Sequence, residues 1–233
     1  MLKGSKFIYD LFEPNPTTEF KVIIVTGDHG YGKTAYANRL VGESIGYHLH
    51  KKDVCDWEAV KTHIGFHPAK VIKLFFSMRS GIRDVCYHWD DAGLWLSNTK
   101  HWDLFVQAVG DYLQTARTDW GALIFSCIHK DDIVNKIRNL RHAVIVDIIK
   151  NSDEEHPWRR HAYAWDIWKS RTGYKQGVND LWDESFDCKM PPEFFKWYDP
   201  IREQYSEMGK KLMWKRLEQK HSDILELAKE VPI

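Results

Sequence analysis

The sequence predicts an α/β fold in three layers, with a mainly parallel sheet between two layers of helices, a C-terminal hairpin strand and a helical C-terminal extension. Three observations carry this expectation. Short runs rich in β-branched residues alternate with segments of helical periodicity from Phe20 to Ile149. A glycine-rich turn joins the first of these runs directly to the first long helix. Beyond Lys150 the pattern changes to strict alternation and then to a long amphipathic stripe.

A chain of 233 residues suits one sizeable domain with an appendage. We read residues 1–170 as the core with its terminal β-hairpin, and residues 171–233 as a linker and an amphipathic helical extension. With 43% hydrophobic and 28% charged residues, the composition excludes disorder as the main state. Lys and Arg number 33 and Asp and Glu also 33, so no net field draws the molecule onto nucleic acid or an anionic membrane, and any DNA contact must come from a local patch. No apolar run approaches the roughly 20 residues that cross a bilayer, and Met1 to Asp10 lacks the apolar centre of a signal peptide. A cytoplasmic protein without a membrane partner is therefore expected. Cys55, Cys86, Cys127 and Cys188 are widely spaced and read as reduced thiols. The eleven tryptophans are spread from Trp57 to Trp214, as buried packing residues would be.

After a polar lead-in marked by Pro14 and Pro16, Phe20 to Val25 reads as a buried strand. Lys33 to Gly42 follows with Ala35, Ala37, Leu40 and Val41 on helical spacing. Trp57 to Phe66 and Pro68 to Met78 read as two short helices, with Pro68 at a favourable first position and Ser80 and Gly81 closing the second. Val85 to Trp89 is the next strand, and Trp102 to Ala116 a helix with Phe105, Val106, Val109 and Leu113 on one face. Ala122 to Ile128 is the third strand, Asp131 to Leu140 a short helix, and His142 to Ile149 the fourth strand. Alternating strands and helices favour a parallel sheet. His161 to Lys169 then places Tyr163, Trp165 and Ile167 on one face, the mark of an antiparallel strand returning along its predecessor. From Pro192 onward, Phe194, Tyr198, Ile201, Tyr205, Met208 and Leu212 are spaced as the stripe of a long helix.

Gly27, Asp28, His29, Gly30, Tyr31, Gly32, Lys33 and Thr34 match G-x-x-x-x-G-K-[ST] without a mismatch. The chemistry needs these residue types. Glycines let backbone N–H groups curl round a β-phosphate, the Lys33 ammonium neutralises β and γ oxygens, and the Thr34 hydroxyl is a Mg²⁺ ligand. Ala35 continues the loop into the helix. ATP and Mg²⁺ are the ligands this loop implies.

Hydrolysis by such a loop also requires an acidic residue at the tip of a neighbouring strand. Asp90 and Asp91, directly after Val85 to Trp89, supply it. This pair resembles the Walker B motif of P-loop ATPases, which implies that Asp90 is the metal-side carboxylate and that Asp91 stands where most relatives carry the glutamate that activates water. Aspartate is one methylene shorter, a departure that leaves fast hydrolysis less assured. The plainer alternative is two aspartates capping the turn at Ala92 and Gly93. In the ATPases that insert a strand between the P-loop and Walker B strands, that strand carries a polar sensor of the γ-phosphate; here its tip offers Ser126 and His129, which could equally be satisfied strand-end groups. Arg138 and Arg141 lie just before the last parallel strand, where AAA+ proteins place an arginine that reaches into a neighbouring subunit's nucleotide; a solvated helix end is the alternative. The run from Lys21 to Ile149 thus resembles an AAA+ or RecA-like ATPase core. Trp89 to Gly93, with Leu94, Trp95 and Leu96 after it, is similar to the small DnaA-like ATPases of archaeal viruses and plasmids.

That resemblance implies an ATP-hydrolysing homo-oligomer acting on DNA, in replication initiation, helicase loading or a related task of a mobile element, and in host cytoplasm if viral. A DNA-packaging or translocating motor and a small-molecule or nucleotide kinase remain as alternatives. His48, His50, Cys55, His63 and His67 gather within twenty residues, but they lack the paired spacing of a structural zinc site. Lys210, Lys211, Lys215, Arg216 and Lys220 could meet DNA phosphates or simply form the wet face of the last helix.

Overall fold

A computed structural model describes residues 1–13, 19–78, 82–140, 143–169 and 176–220. Arg141 and the predicted helix end at Ser80 and Gly81 lie outside the described residues, as do the side chains of Arg216 and Lys220. The chain forms two compact units, Met1–Lys189 and Met190–Ile233.

The first unit is built on β1 (Lys21–Thr26), β2 (Ile64–Gly65), β3 (Asp84–Trp89), β4 (Trp120–Ser126), β5 (Ala143–Lys150), β6 (Arg159–Lys169) and β7 (Gln176–Asp187). They form one sheet in the order β2-β3-β4-β1-β5-β6-β7. The pairings from β2 to β5 are parallel, and β6 and β7 run antiparallel. Central strands buried on both faces must be apolar throughout, and β4 is buried at every position from Trp120 to Ser126. The strand Ala122–Ile128 expected between the loop-bearing strand and the Asp90 strand is this β4.

Helices α1 (Lys3–Phe12), α2 (Lys33–His50), α3 (Trp57–Thr62), α4 (Pro68–Ser77), α5 (Leu104–Tyr112) and α6 (Asn135–Arg138) complete the unit. Three sequence expectations were too coarse here, and the helix expected over 131–140 is a 3-10 turn at Lys130–Asp132 followed by the four-residue α6. The segment 57–66 is a short helix followed by the two-residue strand β2, and 102–116 is a nine-residue helix with a 3-10 turn after it. Helix α2 runs eight residues past Gly42 because its glycines serve close approach rather than termination. A Cβ at Gly46 would come within 2.1 Å of the Val54 carbonyl oxygen, and one at Gly42 within 2.5 Å of Cys55 Sγ.

Helix α1 was not expected from sequence, and distant residues hold it at both ends. Its opening amides have no local cap; Leu2 N donates to Glu43 of α2, while Lys3 N and Gly4 N donate to Glu184 of β7. The same Glu184 accepts from Tyr36 Oη (2.7 Å), and Trp182 Nε1 donates to that phenol oxygen (3.0 Å). Burial and the adjoining Glu184 hold the Tyr36 phenol well above its ordinary pKa. At the other end Arg83 donates to the carbonyls of Leu11, Phe12, Glu19 and Trp120. Carboxylates at the first turn and a guanidinium at the last both suit the helix dipole.

The second unit holds α7 (Pro192–Lys220). Phe194 packs on Trp197 and Tyr198, with ring centres 5.4 Å and 6.1 Å apart. The predicted stripe from Phe194 to Leu212 is its least exposed face, and Lys210, Lys211 and Lys215 are exposed. Among the described residues no helix is long and apolar enough to cross a membrane.

Candidate nucleotide site

The glycine-rich segment leaves β1 and enters α2, so the loop lies at the C-terminal edge of the parallel strands, where open α/β sheets bind ligands. Gly27 (φ 140°), Gly30 (φ 76°) and Gly32 (φ 88°) all take left-handed backbone. Two are also sterically required. A Cβ at Gly27 would meet the Ile148 carbonyl oxygen of β5 at 2.6 Å, and one at Gly32 would meet Cys188 Cβ at 2.6 Å. Gly27 N donates to Ile128 O (3.0 Å), which ties the loop to the tip of β4. Asp28, His29 and Gly30 are exposed, Tyr31 is half-buried, and Ala35 is buried in the first turn of α2.

Lys33 is folded over the loop, and its ammonium donates to the carbonyls of Gly27 (2.7 Å) and Asp28 (2.9 Å). Partial burial lowers its pKa, against the opposing pull of Asp91, Asp90 and other nearby groups. A phosphate arriving here would replace two neutral acceptors by anionic ones, the stronger kind of hydrogen bond.

The expected carboxylates sit across from the loop. Thr34 Oγ1 donates to Asp90 Oδ1 (3.0 Å), joining the start of α2 to the tip of β3. Hydroxyl and carboxylate oxygens are hard donors of the kind Mg²⁺ prefers, so this pair fits the metal that the loop implies. Ser126 of β4 donates to the same carboxylate oxygen and accepts from Asp91 N (3.0 Å). Asp91 is exposed and is held at φ 52°, a left-handed conformation uncommon outside glycine, which lifts it off the end of the strand.

Beneath these groups lies a buried polar layer that sequence reasoning missed. His88 Nε2 is 3.2 Å from Ser126 Oγ, and its Nδ1 is 2.8 Å from Asn38 Oδ1 of α2. Burial draws the His88 pKa below the usual imidazole value, against the pull of Asp90. A histidine two positions before Asp90 in an otherwise apolar buried strand was the available signal. On the other side of the loop, Thr26 donates to Asp147 of β5, and Trp165 Nε1 donates to the other carboxylate oxygen (2.8 Å). The Cys127 thiol, next to Ser126, is pushed up to about 12 by burial and neighbouring acids, against the pull of Lys33.

The remaining predicted residues are engaged in other contacts. Arg138 pairs with Asp131 and donates through Nε to Asn135 Oδ1 (2.7 Å). His129 accepts from Asp131 N through Nδ1 and caps the 3-10 turn after β4. The histidines of the discounted cluster are engaged separately, His67 as the cap of α4 and His63 against Asp84 (3.1 Å).

Sheet order, loop and carboxylate tip together define a P-loop NTPase fold. Comparison with solved structures finds the chain similar to two of them, among others. The N-terminal domain of zonular occludens toxin from Neisseria meningitidis is 11% identical with a TM-score of 0.36, over 76% of this chain and 97% of that one. A KaiC-like protein from the archaeon Pyrococcus horikoshii OT3 is 12% identical with a TM-score of 0.38, over 72% and 85%. No protein-family model and no curated protein sequence matches the chain.

Proposed function

We propose that this protein is a Mg²⁺-dependent ATPase that works as a homo-oligomer on DNA, in replication initiation, helicase loading or a related task of a mobile element. The observation that carries the chemistry is the Thr34–Asp90 hydrogen bond, which sets a P-loop hydroxyl and a strand-tip carboxylate side by side. Loop amides and Lys33 hold the β and γ phosphates, and Thr34 and Asp90 hold the cation. Mg²⁺, when bound, offsets the charge that develops on the transferring phosphoryl group. Asp91 accepts the proton of the attacking water, and Ser126 fixes both aspartates through its two hydrogen bonds. Arg138 or Arg141 reaches the nucleotide of a neighbouring subunit. The exposed Lys210, Lys211 and Lys215 supply phosphate contacts to DNA.

Turnover of ATP measured with and without Mg²⁺ and DNA, alongside mass by light scattering, tests this reading. Mg²⁺-dependent hydrolysis that rises with DNA, in an assembly larger than one chain, supports it. Turnover that appears only with a small acceptor makes the protein a kinase, and no nucleotide binding at all rejects the site.

A further inference from the structure

Arg160, the second residue of β6, lies at the P-loop end of the sheet, opposite Lys150 at the end of β5. The residue is 6% exposed, and its Nε is buried. Its stem and Cys188 form the wall against which Gly32 is packed; a Cβ at Gly32 would lie 3.6 Å from Arg160 Cγ. Yet among the described residues the charge has no carboxylate partner. Among the described residues only its Nη1 finds acceptors, the carbonyls of Pro157 (3.1 Å) and Arg159 (2.7 Å), and the buried Nε has none.

Other arginines of the unit have carboxylate partners, although the buried Nη1 of Arg138 likewise makes no hydrogen bond. Arg39 pairs with Glu43 (2.7 Å), Arg138 with Asp131, and Arg159 with Asp153 (3.8 Å). Arg83, which acts on backbone alone, uses Nε and both terminal nitrogens on four carbonyls. A guanidinium that merely clamped the 157–159 turn would need one nitrogen and could stay hydrated. Burying a cation with spare donors is costly unless an anion meets it, and a planar fork suits phosphate in particular.

We propose that Arg160 is a second cation of the nucleotide site, acting within its own chain and donating to a phosphate of the nucleotide held by the loop. The inference rests on the nucleotide-binding reading above and extends it to the hairpin, since β6 then contributes a ligand as well as sheet area.

The test is binding of fluorescent MgADP and MgATP to the full chain. Arg160→Gln keeps the stem and an amide donor for the turn but loses the charge, and its affinity should fall about tenfold or more. Arg160→Lys should regain part of the loss. Arg159→Gln, at the half-buried neighbour that pairs with Asp153, should match the parent. Independently, the Arg160 Nε–H resonance of the ¹⁵N-labelled parent should shift when MgADP is added, a readout that a turn clamp would not give and that does not depend on a variant folding. Affinity of Arg160→Gln within about twofold of the parent, or an Nε–H signal unmoved by saturating MgADP, overturns the inference while leaving ATP binding intact. A parent that binds no nucleotide rejects the underlying reading instead.

Discussion

Lys33 Nζ lies within 2.9 Å of two loop carbonyls, an arrangement that keeps a half-buried cation satisfied until an anion replaces them. Lys33→Ala should therefore cost little stability and much affinity. Loss of contacts to two phosphates, at about 1.5–3 kcal/mol for each charged hydrogen bond, predicts at least a hundredfold weaker ATP binding by calorimetry, roughly, with an unchanged circular dichroism spectrum. The two aspartates should separate. Asp90→Asn removes a charge from the Thr34 pair and should raise the Mg²⁺ concentration needed for half-maximal turnover by about tenfold. Asp91→Asn should leave ATP and Mg²⁺ bound while slowing single-turnover hydrolysis about a hundredfold, since an amide takes no proton from water. Identical kinetics in both variants would move the base elsewhere.

Among the elements, those with a local signal were legible and those made by distant contacts were not. The loop, β1, β3, β4 and β5 are apolar runs or fixed spacings, and Thr34, Asp90 and Ser126 follow from where such strands end. Helix α1 has no side-chain cap, and its opening amides are answered by Glu43 and by Glu184, the latter about 180 residues away. Strand β7 hides for a different reason. Its buried positions, Trp182 and Phe186, are separated by Asp183, Glu184 and Ser185, and an irregularity opposite Ala164 and Trp165 breaks the alternation, so that Val178 emerges on the exposed side. His88 was passed over because a polar residue inside a strand motif carries no meaning until its neighbours on α2 and β4 are known. Glu184 makes the clearest test at this scale. Glu184→Gln keeps the shape but removes the charge shared by two α1 amides and the Tyr36 hydroxyl, and should destabilise the fold by about 1–3 kcal/mol in urea titrations, with Tyr36→Phe losing less.

For the whole molecule, the open question is whether one chain completes its own site. Arg138 is paired with Asp131 in a single chain, so service to a neighbour requires an exchange of partners at the subunit interface. Turnover per chain should then climb with protein concentration, and Arg138→Ala should bind ATP normally but lose that climb. Mixing Arg138→Ala with Lys33→Ala should restore part of the activity, because one chain brings an intact loop and the other the arginine. Activity independent of concentration, with no rescue in the mixture, would assign the arginine a purely local role.

The Glu184 clamp also bears on how the chain folds. Strand β7 follows every other strand in sequence, yet its carboxylate is what satisfies the first helix, and its tryptophan lies on the phenol of the helix that carries the P-loop lysine. Loops closed over so many residues form slowly, so a chain emerging during synthesis would carry α1 with bare amides until the hairpin arrives. The last strand to be made thus acts as a latch on the first helix, and tryptophan emission from Trp182 should report the late, slow phase of refolding rather than the initial collapse.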